Sequence, residues 1–226
     1  MKMKNLLFII LGIIIVPVIA VICLTSRNLD ADIKRIDLSK VDNLMIVAHP
    51  DDELLWGGAH LIRDNYLVVC ITCGTNATRD NEIRAVLDET GDELLKLGYP
   101  DKVFGKRSDW KNDKEKIFED LKKIISLKKW NSIVTHNLEG EYGHEHHIMT
   151  HQITTDAYND LGIKTDLYFF GKYYSKKKIA KLVELPERIP EKELKKKKEL
   201  IELYKSQSFI KTTFDHMFEY EDWTKQ

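Results

Sequence analysis

Apolar and polar positions divide the chain into two kinds of territory. Residues 6–24 form one unbroken apolar run, preceded only by a short tail that carries Lys2 and Lys4. Beyond Ser26, short apolar runs alternate with stretches whose apolar residues recur every three to four positions. Residues 43–48 (NLMIVA) and 67–73 are continuous runs of strand length, and a helix over 57–64 is expected between them. Ile83, Leu87, Leu94 and Leu95 fit one face of a helix over about residues 79–97, stopped by Gly98-Tyr99-Pro100. A third strand is expected near 102–104. A second helical stripe follows at Ile117, Leu121, Ile124 and Ile125. Strands are then expected over 132–136 (SIVTH) and 167–174, with a helix over 144–161 between them. A helix over 191–205 and a less regular tail complete the chain. Strand–helix repetition with short connections predicts an α/β, Rossmann-like fold: a mostly parallel sheet with helices on both faces.

The opening run changes the picture of the whole molecule. Its 19 residues, at about 1.5 Å per residue, nearly match a hydrocarbon core of roughly 30 Å. A cleaved signal peptide has a shorter apolar core, about 7–15 residues. Residues 1–26 are therefore expected to be a transmembrane anchor or signal-anchor, residues 27–40 a polar linker, and residues 41–226 one domain. Val18-Ile19-Ala20 as a cleavage site and Cys23 as a lipidation site are weaker alternatives, because Ile22 is bulky where a lipobox needs a small residue. A short tail ahead of a large domain points to an extracytoplasmic domain.

Residues 27–226 carry 33 basic and 36 acidic side chains, a balance that argues against nucleic acid as a partner. Residues 172–211 are locally basic, with 13 basic and 6 acidic, which suits a solvated helix face or anionic head groups. The three cysteines do not build a disulfide framework. Cys70 and Cys73 have redox-motif spacing, but strand neighbours three apart point to opposite faces.

Polar clusters follow three of the expected strands, and ligands of open α/β sheets bind beyond the carboxyl ends of strands. Ala48-His-Pro-Asp-Asp-Glu53 sets one histidine and three carboxylates against an apolar run. Carboxylates so placed repel one another and lose hydration, and a divalent cation compensates both. The alternative is an N-cap cluster, with Asp51 or Asp52 capping the next helix and Glu53 in its first turn. The second cluster, Glu141-Tyr-Gly-His-Glu-His-His147, brings His144 and His147 to i and i+3, with His151 one turn on. A zincin is excluded, since position 148 is isoleucine where the second histidine of that motif belongs. Two histidines and a carboxylate leave zinc an open position for water, the arrangement of a hydrolytic site.

These residues resemble the LmbE-like/PIG-L family of zinc-dependent N-acetylglucosaminyl deacetylases. Ala48-His-Pro-Asp-Asp-Glu53 matches the opening signature, and His144-x-x-His147 after Tyr142-Gly143 matches the second. Thr72-Cys-Gly74 resembles a Thr-x-Gly loop, and Leu203-Tyr-Lys-Ser-Gln207 a late Tyr-x-Ser-Gln segment. The resemblance implies that His49, Asp52 and His147 bind Zn2+ or another divalent metal and that Asp51 is the general base. It implies His144 as electrophile or general acid, and Tyr142 as an aid to the oxyanion. The implied partners are an N-acetylated sugar or glycolipid as substrate, and a membrane through the N-terminal run. The chain departs from the family at His146, where many members carry an aspartate paired with the first histidine. Another acylated amino-sugar conjugate as substrate, or a metal-binding surface protein without catalysis, is the competing expectation.

Overall fold

The computed structural model describes residues 27–72 and 76–226. The expected anchor over 1–26 lies outside the described residues, as does the Cys73-Gly74 part of the Thr-x-Gly loop. No described helix is long and apolar enough to cross a membrane.

Five strands run parallel: β1 (Asn43–Val47), β2 (Tyr66–Cys70), β3 (Glu93–Lys96), β6 (Ser132–Thr135) and β7 (Asp166–Phe169). Their order is β3-β2-β1-β6-β7, and a short β8 (Thr224–Lys225) pairs antiparallel with β7 at the edge. Alternation along β1 builds two cores. Leu44 and Ile46 join the cluster under α4 (Lys114–Ile125) and α5 (Glu145–Leu161). Met45 and Val47 join the opposite one, under α2 (Asp52–Arg63), α3 (Ala77–Thr90) and α6 (Glu191–Ile201). Both faces of the sheet are covered, which is why its strands read as continuous apolar runs. The connections leave β1 towards β2 on one side, while β6 arrives on the other. The carboxyl ends of β1 and β6 therefore flank the crevice where such sheets bind ligands.

Three expectations are corrected. The third strand of the sheet is β3, not residues 102–104, and the helix expected to reach Leu97 stops at Thr90. Gly91, at φ 85°, closes α3 in the left-handed conformation, a position that costs glycine least. Leu94 and Leu95 continue the helical spacing of Ile83 and Leu87 by coincidence, and belong to the edge strand. Lys102–Val103 (β4) pairs instead with Lys106–Arg107 (β5) in a hairpin apart from the main sheet. Residues 27–40, expected as a linker, pack on the domain. Leu29–Ile33 forms α1 with Leu29 buried, and Arg27 is bonded to the Leu97 carbonyl and, at 2.6 Å, to Asp120.

Behind Gly91, the buried Asp92 accepts from the Tyr66 N–H at 2.7 Å and from the Thr90 hydroxyl at 2.6 Å. Burial nevertheless pushes its carboxyl up to about 6 from 3.8. A raised acid binds its proton more tightly in the folded state. Its cost to stability is thus absent below about pH 4, grows as pH rises, and is complete above about pH 6. Asp92→Asn keeps an acceptor for Tyr66 and removes the charge. The variant is expected to melt higher than the parent at pH 8, by roughly 3–8 °C, and to melt with it at pH 4. A thermal denaturation series across pH checks this, and an advantage equal at both ends contradicts it.

Candidate metal centre and active site

Three turns at the carboxyl edge of β1 and β6 supply the polar side chains. After Val47 the chain turns through His49 and Pro50 into α2. Asp51, just before α2, stands at φ 101°, and its carboxylate makes no capping bond. Left-handed backbone costs a non-glycine residue about 1–2 kcal/mol and is tolerated where surrounding groups impose it. Those groups are visible. The Asp51 N–H donates to Glu53 Oε2 at 3.0 Å, and the buried Tyr204 hydroxyl donates to Glu53 Oε1. The turn leaves the Asp51 carboxylate 3.3 Å from the Arg79 guanidinium, which also bonds the Pro50 carbonyl. Its side chain is nine-tenths buried. Burial and then the neighbouring Asp52 raise the pKa of Asp51, with Arg79 opposing. The capping alternative fails for Asp51.

Hydrogen bonds assign the histidine tautomers one by one. Ala48 N–H donates to His136 Nε2 at 3.0 Å, so the His136 proton sits on Nδ1, 2.9 Å from Glu141 Oε2. The same Glu141 oxygen lies 2.5 Å from His147 Nδ1. A carboxylate only accepts, so His147 also carries its proton on Nδ1. Its Nε2 is buried and faces Asp52 Oδ1 at 3.2 Å; burial alone would lower this ring's pKa, but Asp52 raises it, so this nitrogen also takes up a proton or a cation. Burial alone would raise Glu141, but His136 and His147 hold it down at about 2.

The other side follows in the same way. His146 Nε2 lies 2.7 Å from the Ser108 carbonyl and must donate to it. Burial and then the nearby His49 push the His146 pKa down to about 4. The ring is neutral, and its Nδ1 accepts from His49 Nε2 at 3.0 Å. His49 turns its Nδ1 to Asp52 Oδ2 at 3.2 Å; burial alone would lower its pKa, but Asp101 and Asp52 raise it, so this nitrogen takes up a proton or a cation against the carboxylate. Two imidazole nitrogens thus converge on one carboxylate, and a positive charge among them, a proton on each ring or a shared cation, is what the arrangement requires.

His49, Asp52 and His147 bring a ligand atom each within 4.8 Å of one another. The group His136, Glu141 and His147 is as compact, but protons already bridge it. It is the supporting layer that fixes ring orientation. The fit to a divalent cation is thus met by His49, Asp52 and His147, with Glu141 and His146 holding the two rings. Burial alone would raise Asp52, yet His147 and His136 keep it well below the ordinary carboxylate range.

The remaining expected residues surround this centre. His144 stands just before α5 without a capping bond from its side chain, its ring 4.5 Å from that of His147 and 4.8 Å from that of His49. Burial, with His147 and His49 beside it, lowers its pKa to about 3, so it presents a neutral ring. Tyr142 is half-exposed, its ring 5.9 Å from His144. His151 turns away, with Nδ1 on the His136 carbonyl at 2.9 Å. A cavity of about 460 Å³ opens beside His49, lined also by Thr72, Asn76, Arg79, Tyr99 and Asp101.

Several residues here escape a reading of the sequence. His136 ends an apolar strand and resembles a core histidine. Asp101 follows Pro100 in a loop with no pattern, yet its Oδ1 lies 3.6 Å from both His49 Nε2 and His146 Nδ1. His146 serves His49 rather than His144. The Tyr-x-Ser-Gln segment was legible as a motif. Its Tyr204 holds Glu53, and Ser206 binds Glu82 through both N–H (2.7 Å) and hydroxyl (2.6 Å).

The fold is similar to that of GalB, the 4-carboxy-2-hydroxymuconate hydratase of Pseudomonas putida KT2440, with a TM-score of 0.55 and 15% identity. That match covers 80% of this chain and 82% of the hydratase. Among curated proteins, the 1D-myo-inositol 2-acetamido-2-deoxy-alpha-D-glucopyranoside deacetylase of Actinosynnema mirum is 27% identical, over 66% of this chain and 67% of its own length. The uncharacterized protein L374 of Acanthamoeba polyphaga mimivirus is 31% identical over 48% of this chain, and that match spans about half (54%) of the viral protein. The family model of the GlcNAc-PI de-N-acetylases, PIG-L, matches residues 44–158, a stretch that runs from β1 through the first cluster and into α5. The chain belongs to the GlcNAc-PI de-N-acetylase (PIG-L) family.

Proposed function

We propose that this protein is a zinc-dependent hydrolase that removes the acetyl group from an N-acetylglucosamine-type sugar conjugate, a glycolipid or cell-envelope glycan. The observation that carries the reading is the convergence of the His49 and His147 ring nitrogens on Asp52, beside an Asp51 carboxylate that caps no helix and meets Arg79. Family membership supplies the substrate class. A two-nitrogen, one-oxygen donor set suits zinc, which when bound acts as a Lewis acid and lowers the pKa of water to about 7.

The chain's own groups account for the remaining chemistry. Asp51, raised by burial and by Asp52, takes the proton from the attacking water and delivers it to the departing amine. A base poised near neutral pH does this best. Arg79 holds that carboxylate in place. His144 is neutral, so it serves as an N–H donor to the developing oxyanion rather than as an imidazolium acid, as electrostatic stabilisation requires. The Tyr142 hydroxyl is the second donor. The test is acetate release from a panel of N-acetylated sugars, including inositol-linked and lipid-linked N-acetylglucosamine, with and without a chelator. Release that the chelator abolishes and zinc restores is expected. Release indifferent to the chelator, or none from any member of the panel, contradicts the reading.

His146 supplies a separate check on the tautomer chain. Its ring stacks on Trp110, with centroids 4.3 Å apart and planes within 2°. His146→Phe keeps the stack and removes the acceptor for His49 Nε2. Zinc affinity, measured by competition with a chromophoric chelator, is expected to fall roughly 10–100-fold, the usual cost of a lost supporting bond. Unchanged affinity contradicts the assignment of the His49 proton.

A further inference from the structure

The β4–β5 hairpin is displayed rather than packed. Phe104 at its tip is fully exposed (102%) and Val103 is half-exposed. Phe104 and Gly105 both have positive φ, 49° and 78°, as a two-residue hairpin turn of the primed type requires. Asparagine or aspartate suits the first of those positions, and a bulky aromatic does not. Neither the turn nor the core asks for phenylalanine here. The stem around it is basic: Lys102 pairs with Arg107 across the ladder, and Val103 with Lys106. The neighbouring acids cancel this charge only in part, leaving Lys102 and Lys106. Asp101 turns inward to His49, and Glu145 meets Arg107 alone, at 3.4 Å.

The apolar run of residues 6–24 precedes Arg27 in the sequence. Arg27 is bonded to the Leu97 carbonyl, and its guanidinium lies 5.7 Å from the Tyr99 ring. Tyr99 is five residues ahead of Phe104.

We infer that this hairpin docks on an anionic bilayer surface, with Phe104 and Val103 entering the head-group boundary and Lys102, Lys106 and Arg107 on the lipid phosphates. An apolar tip within a basic collar suits that interface. Lys102 and Asp101 also line the cavity beside His49, so docking sets the mouth of the proposed active site at the membrane surface. The bearing on substrate delivery rests on the deacetylase reading; the docking itself does not.

The test uses the full chain in vesicles with a photoactivatable diazirine side chain at position 104, and in a second preparation at Val183, also fully exposed. Illumination in mixed phosphatidylcholine–phosphatidylglycerol vesicles is expected to give lipid adducts at 104 and few at 183. Each basic side chain near an anionic surface gains roughly fivefold in occupancy. The pair Lys102→Glu and Lys106→Glu is thus expected to cut adducts at 104 at least about tenfold, as are neutral vesicles. Adducts of equal yield at both positions, protein–protein adducts from a second copy, or indifference to lipid charge each overturn the inference. Labelling does not depend on catalysis, so an inactive but docked protein separates this proposal from the proposed activity.

Discussion

Asp51→Asn is expected to bind one zinc per chain as the parent does and to release acetate at least about 10²–10⁴-fold more slowly, the range of a lost general base. The physical case is that Asp51 does nothing for the fold that asparagine cannot do. It makes no capping bond, and asparagine tolerates the left-handed backbone at φ 101° better than most residues. The backbone N–H still donates to Glu53, and Arg79 still bonds the Pro50 carbonyl. What disappears is a basic oxygen beside Asp52. Zinc stoichiometry and kcat measured on one preparation check this. Loss of zinc together with activity would make Asp51 a ligand, and retention of both would move the base elsewhere.

His147→Ala is expected to lose zinc itself, by more than the 10–100-fold that supporting residues cost. His147 turns a buried nitrogen without a hydrogen-bond partner to Asp52 at 3.2 Å, and its other nitrogen is fixed by Glu141. Its removal also leaves Glu141 with His136 as its remaining histidine. Glu141→Gln therefore makes the informative contrast. It keeps the ring and loosens its orientation, so its zinc affinity should fall between parent and His147→Ala. Equal affinities for His147→Ala and the parent, read by equilibrium dialysis, would remove His147 from the centre.

The sequence carried the outline of this site because its chemistry is local. His49, Asp51 and Asp52 sit in one turn, and His144 and His147 at one helix start. A periodic apolar pattern placed both at the same sheet edge. It carried less where contacts are long-range. The partners of His147 and His49 are a glutamate six residues back and a histidine 97 residues on, and nothing in spacing distinguishes these from surface groups. His146 stood out only as a departure from the family pattern, and the structure gives it a different client, His49. The misplaced third strand has a similar origin. Leu94 and Leu95 satisfy the helical period and the strand equally, and only Gly91 and the buried Asp92 decide between them. Arg79 could be named but not assigned, because its place depends on how α3 packs over the first turn.

One measurement bears most directly on the centre: X-ray absorption at the zinc edge of the full-length protein, with metal content determined on the same sample. One zinc per chain, with nitrogen and oxygen neighbours at about 2.0–2.1 Å and the outer-shell scattering of two imidazoles, is the expected result. Sulfur neighbours, a single imidazole or none, or a protein that retains no metal would contradict it.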